Sequence, residues 1–323
     1  MKVLLTGAAG FIGSHLAEAL CGRGHQVVGF DNFDGFYDRA TKEHNLAALR
    51  HEPRFTLIEG DLRAAADVAE GLSTGGIDTV VHLAALAGIG ASLRNPERYF
   101  EVNLMGTVRL FEAARAAGVR RFVFASSSSV YGADSPLPFR EDAPCGRPLS
   151  PYAASKRAAE LYLLSAQHLH HAAVTSLRFF TVYGPRQRPD LAIAKFARLI
   201  RAGQPIELMG DGSSERDYTF IDDVVAGVIA ATEQQAADPE PRHRVYNLGG
   251  QRAVRLSHVV TTLAAALGQT AHVVHRPDRP EDLPRTLADV RLAESELGFS
   301  PRVSFETGIE RYVAWLGQQP PAR

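Results

Sequence analysis

Val3-Leu4-Leu5-Thr6-Gly7-Ala8-Ala9-Gly10-Phe11-Ile12-Gly13 passes from a short apolar run, through glycines three residues apart, into an Ala- and Leu-rich stretch. This reads as a strand, a tight turn and the start of a helix. Glycines at such a turn remove the steric cost of the bend and let backbone amides approach an anion at the helix N-terminus. Alone, the pattern also fits an ordinary strand–helix turn. Working outward, the next β-rich run, Gln26–Asp31, ends in a carboxylate about 20 residues further on, followed by Asn32. That spacing suits a carboxylate bonded to the ribose hydroxyls of a dinucleotide whose pyrophosphate rests on Gly7, Gly10, Phe11, Ile12 and Gly13. A carboxylate there would repel a 2′-phosphate, so the expectation is NAD rather than NADP.

The alternation continues. Phe55–Asp61, Thr79–Leu83, Arg121–Ala125 and Thr175–Phe180 read as further strands, and Arg244–Leu248 as one more. Helical patterns lie between them near Lys42–Arg50, Ala65–Leu72, Tyr99–Ala117 and Ala153–His168. Runs such as Thr79-Val80-Val81 suit strands buried on both faces. The pattern predicts an α/β fold with a doubly wound parallel sheet. After Gly184-Pro185, Pro and Gly become frequent, and helices are expected at 191–202, 223–235, 256–267, 290–297 and 306–316. The expected division is a nucleotide-binding domain of residues 1–180 plus about 219–250, and a smaller lobe of about 181–218 plus 251–323.

In Ser150-Pro151-Tyr152-Ala153-Ala154-Ser155-Lys156, Tyr152 and Lys156 stand four residues apart on a predicted helix and so share a face. The chain has four lysines, which makes the position of this one informative. A tyrosine that acts as a base near neutrality needs its ordinary pKa of about 10 depressed by about three units, or roughly 4 kcal/mol of phenolate stabilisation. A nearby ammonium and an oxidised nicotinamide ring could supply it.

Composition narrows the classes. The 323 residues are 45% hydrophobic and 22% charged, with net charge −1, which gives no footprint for nucleic acid or an anionic membrane. Cys21 and Cys145 form no metal- or disulfide-type spacing, and no apolar stretch has transmembrane length. The apolar run at the N-terminus is too short for a signal segment, so a cytoplasmic protein is expected. His168, His170 and His171 read as solvated polar residues, and no metal is expected.

These motifs resemble the extended short-chain dehydrogenase/reductases, and within them the nucleotide-sugar epimerases. The resemblance runs through TGAAGFIGSHL, GDL at Gly60–Leu62, HLAALAG at His82–Gly88 and VNLMGT at Val102–Thr107. It continues through ASSSSVYG at Ala125–Gly132, SPYAASK, RFFTVYGP at Arg178–Pro185, RDYTFIDDV at Arg216–Val224 and LGFSPRVSFETGI at Leu297–Ile309. It implies a Rossmann fold with a C-terminal substrate-binding lobe, and NAD contacts from Asp31, Asn32, Asp61, Leu62, Leu83, Ala84, Ala85 and Asn103. Tyr152 is then the acid/base, Lys156 holds the nicotinamide ribose, and Ser127 hydrogen-bonds the reacting oxygen. Dehydratases and decarboxylases that resemble this chain carry an acidic residue where it reads Ser127-Ser128-Ser129-Val130-Tyr131, so simple oxidation and reduction, an epimerisation, is expected.

For the substrate, Arg216 and Arg279 are implied as diphosphate contacts, although the family pattern has Gly where this chain has Glu281. Pro205–Gly210 could line a uracil pocket, and strand burial would give the same pattern. Three features resemble UDP-glucuronate 4-epimerases: Asp34-Gly35-Phe36-Tyr37-Asp38, the serine run, and Thr181 with Pro185-Arg186-Gln187-Arg188-Pro189. Ser128, Ser129, Thr181 and Arg188 could meet a sugar carboxylate. Leu86, Ile89 and Gly90 depart from that family, and UDP-glucose or its N-acetyl form stays open. In the family that this chain resembles, helices like 99–117 and 153–168 pair across a dimer, so a homodimer is expected.

Overall fold

The runs read as strands lie side by side in one parallel sheet. The computed structural model describes residues 1–238, 240–278 and 283–319. The strands are β1 Lys2–Thr6, β2 Gln26–Asp31, β3 Phe55–Glu59, β4 Thr79–His82, β5 Arg121–Ser127 and β6 Ala173–Phe179. They continue with β7 Thr181–Tyr183, β8 Ile206–Met209, β9 Glu215–Phe220, β10 His243–Leu248, β11 Ala253–Arg255 and β12 Val273–Arg276. The seven-stranded sheet has the order β10-β6-β5-β4-β1-β2-β3, with every pairing parallel. This is the doubly wound order, and it reverses direction at β1 and β4, where such sheets open a ligand crevice. Every residue of β4 and β6 is buried, as strands covered by helices on both faces require.

The helices Phe11–Gly22 and Leu256–Leu267 have the predicted bounds, most others shift by one or two residues, and the stretch expected at Lys42–Arg50 is a helix Arg39–Asn45 followed by a 3-10 turn Ala47–Leu49. The stretch expected as one helix at 99–117 is three pieces: Pro96–Tyr99, a π-helical turn Phe100–Met105, and Gly106–Ala116. A short helix at Ile89–Arg94 had no sequence signal. Beyond the main sheet, β11-β9-β7 form one small sheet and β12-β8 another. Within Pro205–Gly210, Ile206 and Leu208 of β8 pack into the core, while Glu207 is exposed.

Candidate active site

A cleft of about 450 Å³ opens at the carboxyl ends of β1, β2, β4 and β5. Its floor is the glycine turn. Gly7 has φ +73°, and a Cβ there would lie 2.8 Å from the Ala84 nitrogen. A Cβ on Gly13 would lie 2.0 Å from the Gly7 carbonyl oxygen, so the helix can approach the strand end only as glycine. The helix Phe11–Gly22 has no side-chain cap, and Gly10, Phe11 and Ile12 line the cleft at its positive end. This uncapped terminus fits a pyrophosphate.

Asp31, Asn32, Asp61, Leu62, Leu83, Ala84 and Ala85 all line this cleft. Asp31 also braces the turn: its carboxylate accepts from the backbone nitrogens of Ala9 at 3.1 Å and Phe33 at 2.8 Å. Asp61 accepts from Asn32 Nδ2 and from Arg63, whose guanidinium holds the carboxyl well below the usual carboxylate range. Asn103 stands one layer behind the cleft wall. Its side chain is buried behind Leu86, where it accepts from Leu86 N at 2.8 Å and donates to Leu86 O at 2.9 Å and Ser155 Oγ at 3.1 Å. Ser155 donates in turn to Tyr152 O. Asn103 therefore ties the loop after β4 to the helix Pro151–His170.

Ser127 ends β5, and its hydroxyl accepts from Ser129 N at 3.2 Å. Tyr152 enters the same wall from the first turn of the helix Pro151–His170, which Ser150 caps through Ala153 N. The Tyr152 ring meets Tyr99 edge-on at 6.2 Å. Burial pushes the Tyr152 phenol up, while the Ser127 hydroxyl beside it and the charge of Arg188 pull it back. Lys156 lines the cleft and is also tied to the sheet. Its Nζ donates to Ala125 O at 2.7 Å and lies 4.8 Å from the Phe124 ring centroid. Burial brings this ammonium down to about 7, with Glu160 opposing. Arg188, from a loop 36 residues downstream of Tyr152, adds positive charge at the phenol.

Arg188 is bidentate with Asp190, at 3.0 and 2.7 Å, and sits 5.0 Å from the Phe36 ring centroid. Ser128, Ser129 and Thr181 line the main cleft and also an adjoining pocket of about 150 Å³, into which Arg216 projects. Arg279 lies outside the described residues. Among those residues, no group of three His, Cys, Asp or Glu could hold a metal, and no helix is long and apolar enough to cross a membrane.

A family model described as NAD dependent epimerase/dehydratase family matches residues 3–249. The chain belongs to that family. A probable UDP-glucuronate 4-epimerase of Rhizobium meliloti (strain 1021) is 40% identical, with 98% of this chain and 97% of the relative aligned. The crystal structure of a Bacillus cereus UDP-glucuronic acid 4-epimerase, in complex with UDP-glucuronic acid and NAD, superposes with a TM-score of 0.92 at 35% identity, covering 98% and 99% of the two chains. A Thermus thermophilus UDP-glucose 4-epimerase in complex with NAD gives 0.88 at 34% identity, covering 99% and 100%.

In this member of the epimerase/dehydratase family, sequence reasoning passed over several residues of the cleft. Lys42 lines it with Nζ 3.6 Å from Asp31 Oδ1, both side chains being buried. The signal available was its rarity, since Lys42 is one of four lysines. Phe36 and Tyr37, noted in the sequence only as part of a family-like stretch, line it beside Arg188. Beneath the floor, His82 Nδ1 faces Thr6 Oγ1 at 2.7 Å and Nε2 faces Thr107 Oγ1 at 2.9 Å. Thr107 donates to Asn103 O, so His82 must donate from Nε2 and accept at Nδ1. Thr6 also accepts from Ala84 N, which makes the chain continuous beneath the cofactor-side loop.

Proposed function

We propose that this chain interconverts the C4 epimers of a UDP-sugar, UDP-glucuronate and UDP-galacturonate before others, through a 4-keto sugar. The observation that carries this reading is the shared cleft: an uncapped, glycine-walled helix terminus and the Tyr152 phenol open onto the same space. The site residues fit NAD, with Gly7, Gly10, Phe11, Ile12 and Gly13 against the pyrophosphate and Asp31, with Lys42, at the adenosine ribose. When bound, NAD supplies the acceptor and donor of the C4 hydride.

Tyr152 takes the C4 hydroxyl proton as the carbinol is oxidised and returns it when the ketone is reduced on its other face. Ser127 holds that oxygen, and Lys156 and Arg188 supply positive charge to the phenolate. No carboxylate stands among Ser127–Tyr131 to drive elimination or decarboxylation, which supports a reaction that ends at the epimer. Ser128, Ser129 and Thr181 meet the sugar, Arg188 its C6 carboxylate, and Arg216 the diphosphate; the similarity to the UDP-glucuronic acid complex supports this order. Residues 1–180 with about 219–250 form the nucleotide domain, and about 181–218 with 251–323 the sugar lobe.

The helices Phe100–Met105 and Pro151–His170 leave Phe100, Met105, Leu161, Leu164 and Leu169 exposed. Such a face supports a homodimer, and we place the enzyme in the cytoplasm. The deciding experiment incubates the protein with NAD and either UDP-glucuronate or UDP-glucose and resolves the C4 stereoisomers. Turnover of the uronate with no net NADH is expected; sustained NADH release, or turnover of neither sugar, refutes the reading.

A further inference from the structure

Behind the Ser127 wall lies a buried ionic cluster that the reaction as written does not use. Glu160 stands one helical turn beyond Lys156 on the helix Pro151–His170, and both are buried. Its Oε1 accepts from Ser126 Oγ at 2.6 Å and Arg178 Nε at 3.0 Å. Its Oε2 accepts from Arg178 at 3.0 Å and Arg157 at 2.9 Å. Arg178 belongs to β6, is paired in register with Ser126, and lies 4.7 Å from the Tyr131 ring centroid.

Two rungs therefore join the end of β5 to one helix. Lys156 bonds the carbonyl of Ala125, and Glu160 bonds the hydroxyl of Ser126. The next residue is Ser127. A buried ion pair is weak evidence for stability, because apolar side chains of similar volume often hold such a contact as well or better. The charge at this place therefore needs another explanation. We propose that Glu160 is a positioning residue for the epimerisation: its carboxylate registers the Ser127 strand end against the helix bearing Tyr152 and Lys156, and sets a negative charge one turn from the Lys156 ammonium.

This rests on the reading of Tyr152 and Lys156 given above. The charged and titratable groups acting with Lys156 are Glu160 and, one turn back, Tyr152 on its own helix, and His82 from β4; Arg178 from β6 reaches it only through Glu160, and Tyr99 only through Tyr152. His82 is held neutral, so Glu160 is the anion opposing the loss of the Lys156 proton. Removing it lets Lys156 deprotonate at lower pH, and the alkaline loss of kcat moves down by about one to two pH units.

The test is the double variant Glu160→Met/Arg178→Met, which keeps volume and leaves no unpaired partner within the pair, together with Ser126→Ala. For the double variant we expect a melting temperature near that of the parent and retained NAD binding. KM should stay within about three-fold, kcat should fall about ten-fold or more, and the alkaline limb should move down, by less than loss of the carboxylate alone because the Arg178 cation leaves with it. Ser126→Ala should lower kcat several-fold with no shift of the limb. A folded double variant with the parental kcat and pH profile overturns the proposal. If the double variant does not fold, an unchanged kcat in Ser126→Ala overturns it. If the parent turns over no UDP-sugar, the epimerase reading fails separately. The pH dependence of NAD affinity, measured calorimetrically on parent and double variant, then decides the charge role: a downward shift supports it, and coincident curves refute it.

Discussion

Replacing Arg188 by Ala separates a uronate-specific cation from a general wall residue. The guanidinium spends Nε and one NH2 hydrogen on Asp190, at 3.0 and 2.7 Å, and presses one face toward Phe36. Of its five N–H donors, three are left for a ligand. A carboxylate that takes them gains charge-assisted hydrogen bonds worth about 1.5–3 kcal/mol, so the loss in kcat/KM on UDP-glucuronate should be about 10–150-fold. A neutral hydroxymethyl group gains about 1 kcal/mol from the same donors, so UDP-glucose should lose about five-fold from this contact, and the loss of charge at the phenolate adds equally to both sugars. The fold should tolerate the change, because the abandoned Asp190 side chain is 42% exposed and returns to water. The assay is kcat/KM on each sugar nucleotide, with C4 isomers resolved and melting temperatures compared. Losses equal within two-fold would remove the carboxylate role from Arg188. Arg188→Lys should recover only part of the uronate activity, since an ammonium lacks the planar fork.

Tyr152→Phe should retain NAD binding by calorimetry and lose nearly all turnover; substantial remaining activity would mean that another base operates. His82 gives a pH-dependent stability. Burial brings its pKa from 6.5 down to about 3. The unfolded chain therefore takes up the proton first, and stability falls as pH drops below about 6.5, by about 2 kcal/mol at pH 5. Asp217, raised to about 7 by burial, works in the opposite sense over part of that range in any variant. The comparison of His82→Gln with the parent in urea at pH 7.5 and 5 isolates the histidine; identical pH dependences would refute it. For the exposed face at Leu161, Leu164 and Leu169, light scattering should give a dimer mass at micromolar concentration, and Leu161→Glu/Leu164→Glu a monomer; a monomeric parent would refute the pairing.

The main sheet was legible because its central strands, such as β1 and β4, are near-continuous apolar runs, and because the glycine turn and the acidic end of β2 stand at a dinucleotide-type spacing. The small sheets were not. β7 and β11 have three residues each, too few for a period-two pattern; the sequence of β8 fits a pocket lining and a buried strand alike, and β12, four residues amid Pro and Arg, carries no strand signal. Lys156 shows the second limit. Four-residue spacing puts it on the Tyr152 face, but its terminal atom goes to the carbonyl of Ala125, 31 residues away and brought near only by the packing of helix on sheet. Arg188 shows the reverse: its residue type was legible, while its action on the phenol depends on the loop fold.

The two cations beside Tyr152 divide the work by chemistry. Arg188 is a guanidinium and stays charged over the whole working range, so it gives the phenolate a constant field and cannot set a pH optimum. Lys156 is buried, brought down to about 7, and kept from falling further by Glu160. Any loss of activity on the alkaline side should then follow the lysine, with the tyrosine left ionised. A solvent-exposed lysine in its place would titrate near 10 and give no such limb. Burial of a single ammonium against the end of β5 thus turns a structural hydrogen bond into a control on proton transfer.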